Sequence, residues 1–93
     1  MKYYNWNSEK NLKLITERGI SFDDIVFYIS NGFLLDTIKH PKQDKYKDQM
    51  MFVVNINDYA YLAPFRESED EIFLKTIISS RKATEKYLGV DKL

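Results

Sequence analysis

The feature that most constrains the fold is a pair of apolar runs, residues 49–56 and 59–65, separated by the dipeptide Asn57-Asp58. Asn and Asp tolerate the positive φ angles that a two-residue hairpin turn requires, so the two runs are predicted to form an antiparallel β-hairpin. A turn of this length fixes the register and places Ile56 opposite Tyr59. The register decides which side chains share a face of the sheet.

One face of the predicted sheet is almost wholly apolar, and the opposite face is mixed. We expect residues 67–70 to form a hairpin loop and a further strand to follow over residues 72–78. The opposite face carries the cations Arg66 and Lys75, although a half-solvated sheet face without function has a similar composition. Pro64 on that face predicts a bulge or a break in pairing. The apolar face, which should pack against helices, comprises Met50, Phe52, Val54, Ile56, Tyr59, Tyr61, Ala63, Phe65, Ile72, Leu74, Thr76 and Ile78.

The first third of the chain is predicted to form a strand and two helices. Residues 2–6 are aromatic and favour a strand, and the Asn7-Ser8 pair supplies a cap for a helix with Leu12 and Ile15 on one face. Gly19 is expected to end that helix. Ser21 then caps a second helix, in which apolar residues recur at helical spacing.

The rest of the pattern completes a small α+β fold. Residues 33–38 read as a strand that runs into a loop over residues 39–48, and the polar residues 79–80 open a basic closing helix. The predicted order is β-α-α-β-β-β-β-α, with a mostly antiparallel sheet and the helices packed on one face. A chain of 93 residues buries only about 60 to 65% of its unfolded surface, so we expect a single domain over residues 1–93.

Composition limits the chemistry and the location of the protein. No cysteine is present, which excludes disulfides and thiolate metal sites. The sequence has neither an N-terminal apolar signal region nor an apolar run of about 20 residues, so a cytoplasmic protein without membrane contact is expected. The formal net charge is +0, so any contact with RNA must come from local basic patches.

Several catalytic classes lack their signatures. Three isolated glycines cannot build a phosphate-binding loop, no Gly-x-Ser-x-Gly motif occurs, and a lone histidine without cysteine gives no zinc pattern. The acidic residues 67–71 have oxygen ligands for a hard cation, but a solvated hairpin loop that resists self-association explains them better. We therefore predict neither a metal nor any other cofactor.

What remains is a cationic set suited to metal-free cleavage of RNA. In that reaction the 2′-hydroxyl loses a proton, donors stabilise the charged phosphorane, and the 5′-oxygen gains a proton. The candidate catalytic residues are Arg81, Lys75, Arg66, His40 and Lys10. The candidate RNA-binding residues are Lys82, Lys45, Lys47, Arg18 and Tyr46.

Each leading candidate also has a structural interpretation. Arg81 can grip two phosphate oxygens, or it can form a weak surface pair with Glu85. His40 can transfer protons near neutral pH, or it can simply be exposed in its loop. Lys75 beside other cations can serve as a base, or its stem can shield neighbouring apolar side chains from water. Tyr46 can stack a base of single-stranded RNA, or it can belong to a solvated connection.

Three segments together resemble the BrnT family of bacterial toxins. They are residues 6–11 (WNSEKN), 18–24 (RGISFDD) and 78–83 (ISSRKA), which match the order and spacing of that family's motifs along nearly the whole chain. The resemblance implies a RelE-like fold and the toxin of a type II toxin–antitoxin pair, with endoribonuclease activity that stops translation. Basic residues of the family motifs map onto Lys10, Arg18 and Arg81.

The resemblance also implies partners. These are an RNA substrate and a co-encoded antitoxin, expected to be of the ribbon-helix-helix type, which binds operator DNA and carries the toxin to it. Exposed apolar residues such as Leu62 and Phe73 are where a helix of that partner is expected to dock.

The chain departs from the family at two places. Glu17-Arg18-Gly19 replaces Lys-His-Gly, and Gln49-Met50 replaces Glu-Arg before the central hairpin. These changes make His40, Arg66 and Lys75 candidate substitutes in catalysis. They also leave a second hypothesis open, in which the chain is a weak or inactive relative that acts only as a protein-binding module.

Overall fold

The protein forms a mixed β-sheet with helices on both faces. The computed structural model describes residues 2–89. Its elements, in chain order, are β1 (Tyr3–Trp6), α1 (Ser8–Arg18), α2 (Phe22–Ser30), β2 (Leu34–Lys39), β3 (Met50–Ile56), β4 (Tyr59–Glu67), β5 (Glu71–Leu74), β6 (Ile78–Ser79) and α3 (Arg81–Leu88). Among the described residues, no helix is long and apolar enough to cross a membrane.

The central hairpin has the predicted register. Ile56 pairs with Tyr59, and the turn residues Asn57 and Asp58 have φ angles of 54° and 64°. The strand order is β1-β5-β4-β3-β2, and the short β6 pairs with β4 beyond the end of β5. The edge strand β1 is parallel to β5, whereas the other pairs are antiparallel. The prediction of a small α+β protein with a sheet of this kind is confirmed.

The face of the sheet beneath α1 and α2 forms the hydrophobic core. Phe22 and Ile25 of α2 are fully buried, and Leu14 of α1 is 2% exposed. They belong to one cluster with Phe52, Val54, Ala63, Phe65 and Leu74 of the sheet. Trp6 of β1 stacks on Phe22 with their ring centroids 5.7 Å apart, so this aromatic residue has a structural role. We call this surface the core face.

The caps of α1 and α2 follow the sequence signals. The Asn7 side chain accepts a hydrogen bond from the Lys10 backbone N–H, and Gly19 ends α1 with φ 67°. The expected apolar side of α1 was wrong, because Leu12 and Ile15 are 64% and 45% exposed. This helix instead contacts the core through the single buried residue Leu14.

The start of α2 is held by a capping box. Ser21 Oγ accepts from the Asp24 backbone N–H at 3.1 Å, and Asp24 Oδ2 accepts from the Ser21 N–H at 2.9 Å. Replacing Ser21 with alanine should therefore cost about 1 kcal/mol and lower the Tm by roughly 4–8 °C. Thermal unfolding followed by circular dichroism measures this shift. Ser30→Ala, at the exposed last residue of the same helix, is the control and should change the Tm by less than half as much.

The strand predicted over residues 72–78 is interrupted. Leu74 pairs with Phe65, but Ile78 pairs with Leu62, so three residues lie between these pairs on the β5–β6 side where β4 has two. The Pro64 carbonyl accepts from the Lys75 N–H, which shows that the Pro64 backbone faces this neighbour. Because proline has no N–H to donate, the ladder loses a bond there, and the predicted break is confirmed.

The extra residue changes which side chains are buried. Ile77 is 1% exposed and joins the core, whereas Ile78 is 42% exposed. The expectation that Thr76 and Ile78 extend the apolar face was therefore wrong, since a shift of one residue moves side chains to the opposite face.

The expectation that all helices pack on one face was also wrong. The buried Thr84 Oγ1 of α3 accepts from the Ala60 N–H of β4 at 2.9 Å and donates to the Ser80 carbonyl at 2.7 Å. Tyr87 of α3 reaches Asp36 of β2, the strand neighbour of Val53. Helix α3 therefore crosses the sheet face opposite the core face, which we call the α3 face.

Candidate functional site

A groove lies on the α3 face, between α3 and the chain that leaves β2. It encloses about 320 Å³. Its floor is formed by strand residues, with Leu62 partly exposed and Val53 fully buried. Three lysines, from the end of β2 and from α3, lie along it. The lining residues are Ile38, Lys39, Pro41, Met51, Val53, Leu62, Ser80, Lys82, Ala83, Lys86 and Tyr87.

The turn of α3 determines which of its cations line the groove. Lys82 and Lys86 are four residues apart, so they lie on one flank of the helix, about 6 Å apart along its axis. Arg81 lies about 100° around the helix from Lys82, on the flank that it shares with Glu85. Arg81 is exposed at the first helical position but does not line the groove. The predicted RNA-binding residue Lys82 thus lines the groove, whereas Arg81, the residue predicted to grip the phosphate, does not.

A hydrogen bond across the groove fixes the end of α3 to β2. The Tyr87 hydroxyl donates to Asp36 Oδ2 at 2.6 Å. This bond lowers the pKa of Asp36 below its usual value, with smaller contributions from the Thr37 backbone N–H and from Lys86. The same bond raises the pKa of Tyr87, because it stabilises the protonated phenol. The phenol is thus a poor candidate for a catalytic base and instead holds the helix on the sheet.

The signs of these shifts give a pH dependence. Because the pKa of Asp36 is lower in the folded state than in the unfolded chain, its charged carboxylate stabilises the fold at pH values above the ordinary carboxyl pKa of about 4. This stabilisation is lost as the pH falls through the pKa that Asp36 has in the folded state. In Tyr87→Phe, the pKa of Asp36 should rise towards the usual value. Carboxyl chemical shifts in an NMR titration measure it, and Tyr28→Phe is the control. An unchanged Asp36 titration in Tyr87→Phe would contradict the assignment.

Two predicted catalytic residues lie further along the α3 face. Arg66 of β4 pairs with Phe73, and the Lys75 N–H donates to the Pro64 carbonyl at 2.8 Å. Both cations are exposed. Counting residues along β4, Pro64 and Arg66 lie about 7 and 13 Å from Leu62 in the groove floor. Neither Arg66 nor Lys75 lines the groove, and both follow it along β4.

The loop after β2 lines the groove through Pro41 and carries four more of the predicted residues. His40, the neighbour of Pro41, contacts Tyr46 with their ring centroids 4.3 Å apart and their planes tilted by 34°. His40 Nδ1 accepts from the Lys42 N–H at 3.1 Å, which leaves Nε2 as the ring nitrogen free for other contacts. Lys45 lies over the Tyr46 ring, 5.4 Å from its centroid, and Lys47 is exposed in the same loop. Because His40 already occupies one side of Tyr46, an RNA base has less of that ring to stack on.

The two predicted residues on α1 lie away from the groove. Helix α1 packs on the core face, and Lys10 is at its first turn. Arg18 Nη1 donates to the Ile77 carbonyl at 2.5 Å, which ties the end of α1 to the segment between β5 and β6. Arg18 also lines a polar cleft of about 280 Å³ with Asp24, Tyr28 and Tyr61. One nitrogen of the Arg18 guanidinium therefore has a structural role, as a donor to the Ile77 carbonyl.

The sequence did not single out Lys39, Lys86 or Asp36 as site residues. The spacing of Lys82 and Lys86 was a usable signal, because residues four apart share a helix flank. Asp36 and Tyr87 are 51 residues apart in the sequence, so no local pattern predicts the hydrogen bond between them. Within residues 2–89, no group of three or more His, Cys, Asp or Glu residues is arranged to hold a metal ion.

Comparison of the chain with protein-family models, curated proteins and solved structures finds no match.

Proposed function

We propose that this chain is a BrnT-like toxin, a cytoplasmic endoribonuclease that cleaves RNA without a metal ion and stops translation. The observation that carries the proposal is the arrangement of cations on the α3 face. Lys39, Lys82 and Lys86 surround one groove, and Lys75 and Arg66 follow along the same face. The net charge of the chain is +0, so an attraction for RNA has to come from local cations such as these.

This arrangement suits a phosphodiester. Ammonium groups that lie on one surface attract the RNA backbone and stabilise the extra negative charge of a phosphorane. Attack by the 2′-oxygen on the adjacent phosphorus breaks the bond to the 5′-oxygen, which leaves a 2′,3′-cyclic phosphate and a 5′-hydroxyl. The 2′-hydroxyl proton must leave and the 5′-oxygen must receive one, and His40 and the groove lysines are the groups we propose for these transfers.

The proposed antitoxin is a second chain of the ribbon-helix-helix type. It would cover the toxin and attach the pair to operator DNA, as the resemblance in residues 6–11, 18–24 and 78–83 implies. A RelE-like arrangement of the sheet and helices is part of the same proposal.

Expression in bacteria tests this function. Induction of the wild-type chain alone should arrest growth and degrade cellular RNA, and co-expression with the product of the neighbouring reading frame should restore growth. Normal growth and intact total RNA on induction would remove the toxin proposal. The hypothesis of a protein-binding module would then be favoured, because the apolar floor of the groove can also contact a protein partner.

A further inference from the structure

The sheet ends in two edge strands, since among the described strands β1 pairs with β5 alone and β2 with β3 alone. An edge strand turns every second residue outward, and the N–H and C=O groups of those residues can pair with a strand of another molecule. Strand β2 has six residues, and Phe33 and Leu34 at its start are 42% and 39% exposed. This edge is therefore a surface on which a second copy of the chain can add its own β2.

On the β2 edge, an outward N–H is covered by a side chain of the same strand. The His40 N–H donates to the Gln49 carbonyl and so faces β3. Because residues alternate in direction along an antiparallel strand, Thr37, three positions earlier, turns its N–H away from β3. Asp36 Oδ1 accepts from this N–H at 2.8 Å, and Asp36 Oδ2 accepts from the Tyr87 hydroxyl. The carboxylate is thus held over a backbone donor that an added strand needs.

The β1 edge has the same arrangement. The Tyr3 N–H donates to the Asp70 carbonyl and so faces β5, which turns the Trp6 N–H, three positions later, away from β5. Asn5 Oδ1 accepts from the Trp6 N–H at 2.9 Å, and Asn5 Nδ2 donates to Glu71 Oε2 at 2.9 Å. In each edge strand, an Asn or Asp side chain accepts from the next N–H along the chain and is fixed by a residue of another element.

The covered N–H leaves the β2 edge with little to offer a second strand. The register of β2 with β3 shifts between Leu34 and Asp36, and a bulge of this kind bends the strand. Beyond the bulge, Thr37 and Lys39 are the residues that turn outward. With the Thr37 N–H covered, pairing through Lys39 gives too few hydrogen bonds to offset the free energy cost of association.

We propose that Asp36 and Asn5 are edge caps, which keep this chain from pairing through its sheet edges with a second copy of itself. The β2 edge is longer than the β1 edge and lies beside exposed apolar side chains, so the monomeric state depends mainly on Asp36. The cap acts through the oxygen that accepts from Thr37 and not through the negative charge. Cleavage of RNA plays no part in it, so this proposal stands or falls independently of the proposed function.

The mass of the 93-residue chain in solution tests the β2 cap. In sedimentation velocity the wild type should be a monomer of 11.1 kDa, whereas Asp36→Ala should form dimers at concentrations where the wild type does not. Asp36→Asn keeps an acceptor oxygen without the charge, and Tyr87→Phe keeps the carboxylate but loses its bond to α3, so both should remain monomeric. A monomeric Asp36→Ala, or dimers of either control, would overturn the proposal.

Amide hydrogen exchange reports on the cap in the wild-type monomer itself. The Thr37 N–H should exchange roughly tenfold more slowly than the Lys39 N–H, once intrinsic rates are corrected for. Lys39 also turns outward, but the preceding Ile38 has no acceptor to cover it. Equally fast exchange at the two positions would show that Thr37 is uncapped and would overturn the proposal.

Cross-linking locates the contact between two copies of Asp36→Ala. The chain has no cysteine, so Thr37→Cys adds a single reactive thiol to that variant. A short bis-maleimide should then join two copies, because paired β2 edges bring their central residues together. Thr16→Cys in the same background places the thiol on an exposed position of α1 and should give no such product. Cross-linking through position 16 and not through position 37 would contradict pairing at the β2 edge.

Asn5→Ala tests the other edge. It should also form dimers, but at a higher concentration than Asp36→Ala, because β1 has only four residues. A mass that stays at that of the monomer at every concentration would overturn the role assigned to Asn5.

Discussion

The double variant Lys82→Ala/Lys86→Ala should lose at least 100-fold in the rate of RNA cleavage. Both lysines line the groove from one flank of α3, and each is proposed to stabilise charge on the reacting phosphate. Removing one preorganised donor in an enzyme site costs about 10²–10³-fold, so 100-fold is a low expectation for two. Initial rates on a labelled single-stranded RNA measure the effect.

The control for this variant changes the same amount of charge elsewhere. Lys13→Glu on α1 also lowers the net charge by two, but α1 packs on the core face, away from the groove. It should keep the cleavage rate within about threefold, because general electrostatic attraction is a smaller effect than contact. Equal losses in the two variants would indicate that net charge matters and the groove does not. The thermal stability of both should stay within about 0.5 kcal/mol, since both are surface changes.

Phe22→Ala should have the largest effect on stability. Phe22 begins α2, is fully buried, and stacks on Trp6 in the core. Truncation of a buried phenylalanine costs about 3–5 kcal/mol, through the lost burial and the cavity that remains. A domain of this size is stable by only about 5–15 kcal/mol, so the variant should be close to unfolding at 37 °C. Urea denaturation followed by circular dichroism measures the loss.

A second phenylalanine of the same helix provides the control. Phe27 is 60% exposed, so Phe27→Ala removes little buried area and should change the free energy of unfolding by less than about 1 kcal/mol. If Phe27→Ala were the more destabilising of the two, the packing of α2 on the core face would be incorrect.

The sequence predicted those parts of the fold that local chemistry decides. The Asn57-Asp58 turn set the register of β3 and β4, and Asn7, Gly19 and Ser21 marked the helix ends where they occur. Each of these signals depends on residues a few positions apart. Pro64 also predicted its break in pairing, because a missing donor is visible in the sequence.

The parts that were missed depend on contacts between distant residues. One extra residue between β5 and β6 places Ile77 in the core instead of Ile78. It is visible only in the pairing with β4, and residues 75–78 carry no local signal for it. The face of the sheet on which α3 packs depends on two hydrogen bonds between distant residues. Thr84 accepts one from Ala60, and Tyr87 donates the other to Asp36. A mixed sheet face that is half covered by a helix looks, in sequence, like one that is half solvated.

The candidate site was predicted in part for the same reason. Cations were identified by type, and Lys82, Lys75 and Arg66 do lie on the α3 face. Which of these cations meet in the groove depends on the orientation of α3 about its own axis. That orientation places Lys86 in the groove and Arg81 outside it. Arg18 bonds to a backbone carbonyl that the sequence could not identify.

Metal-independent cleavage is tested most directly with the purified chain, a labelled single-stranded RNA and an excess of EDTA. The account predicts fragments that end in a 2′,3′-cyclic phosphate and begin with a 5′-hydroxyl, formed at the same rate with and without the chelator. RNA that stays intact under both conditions, or that is cleaved only when a divalent cation is supplied, would contradict it.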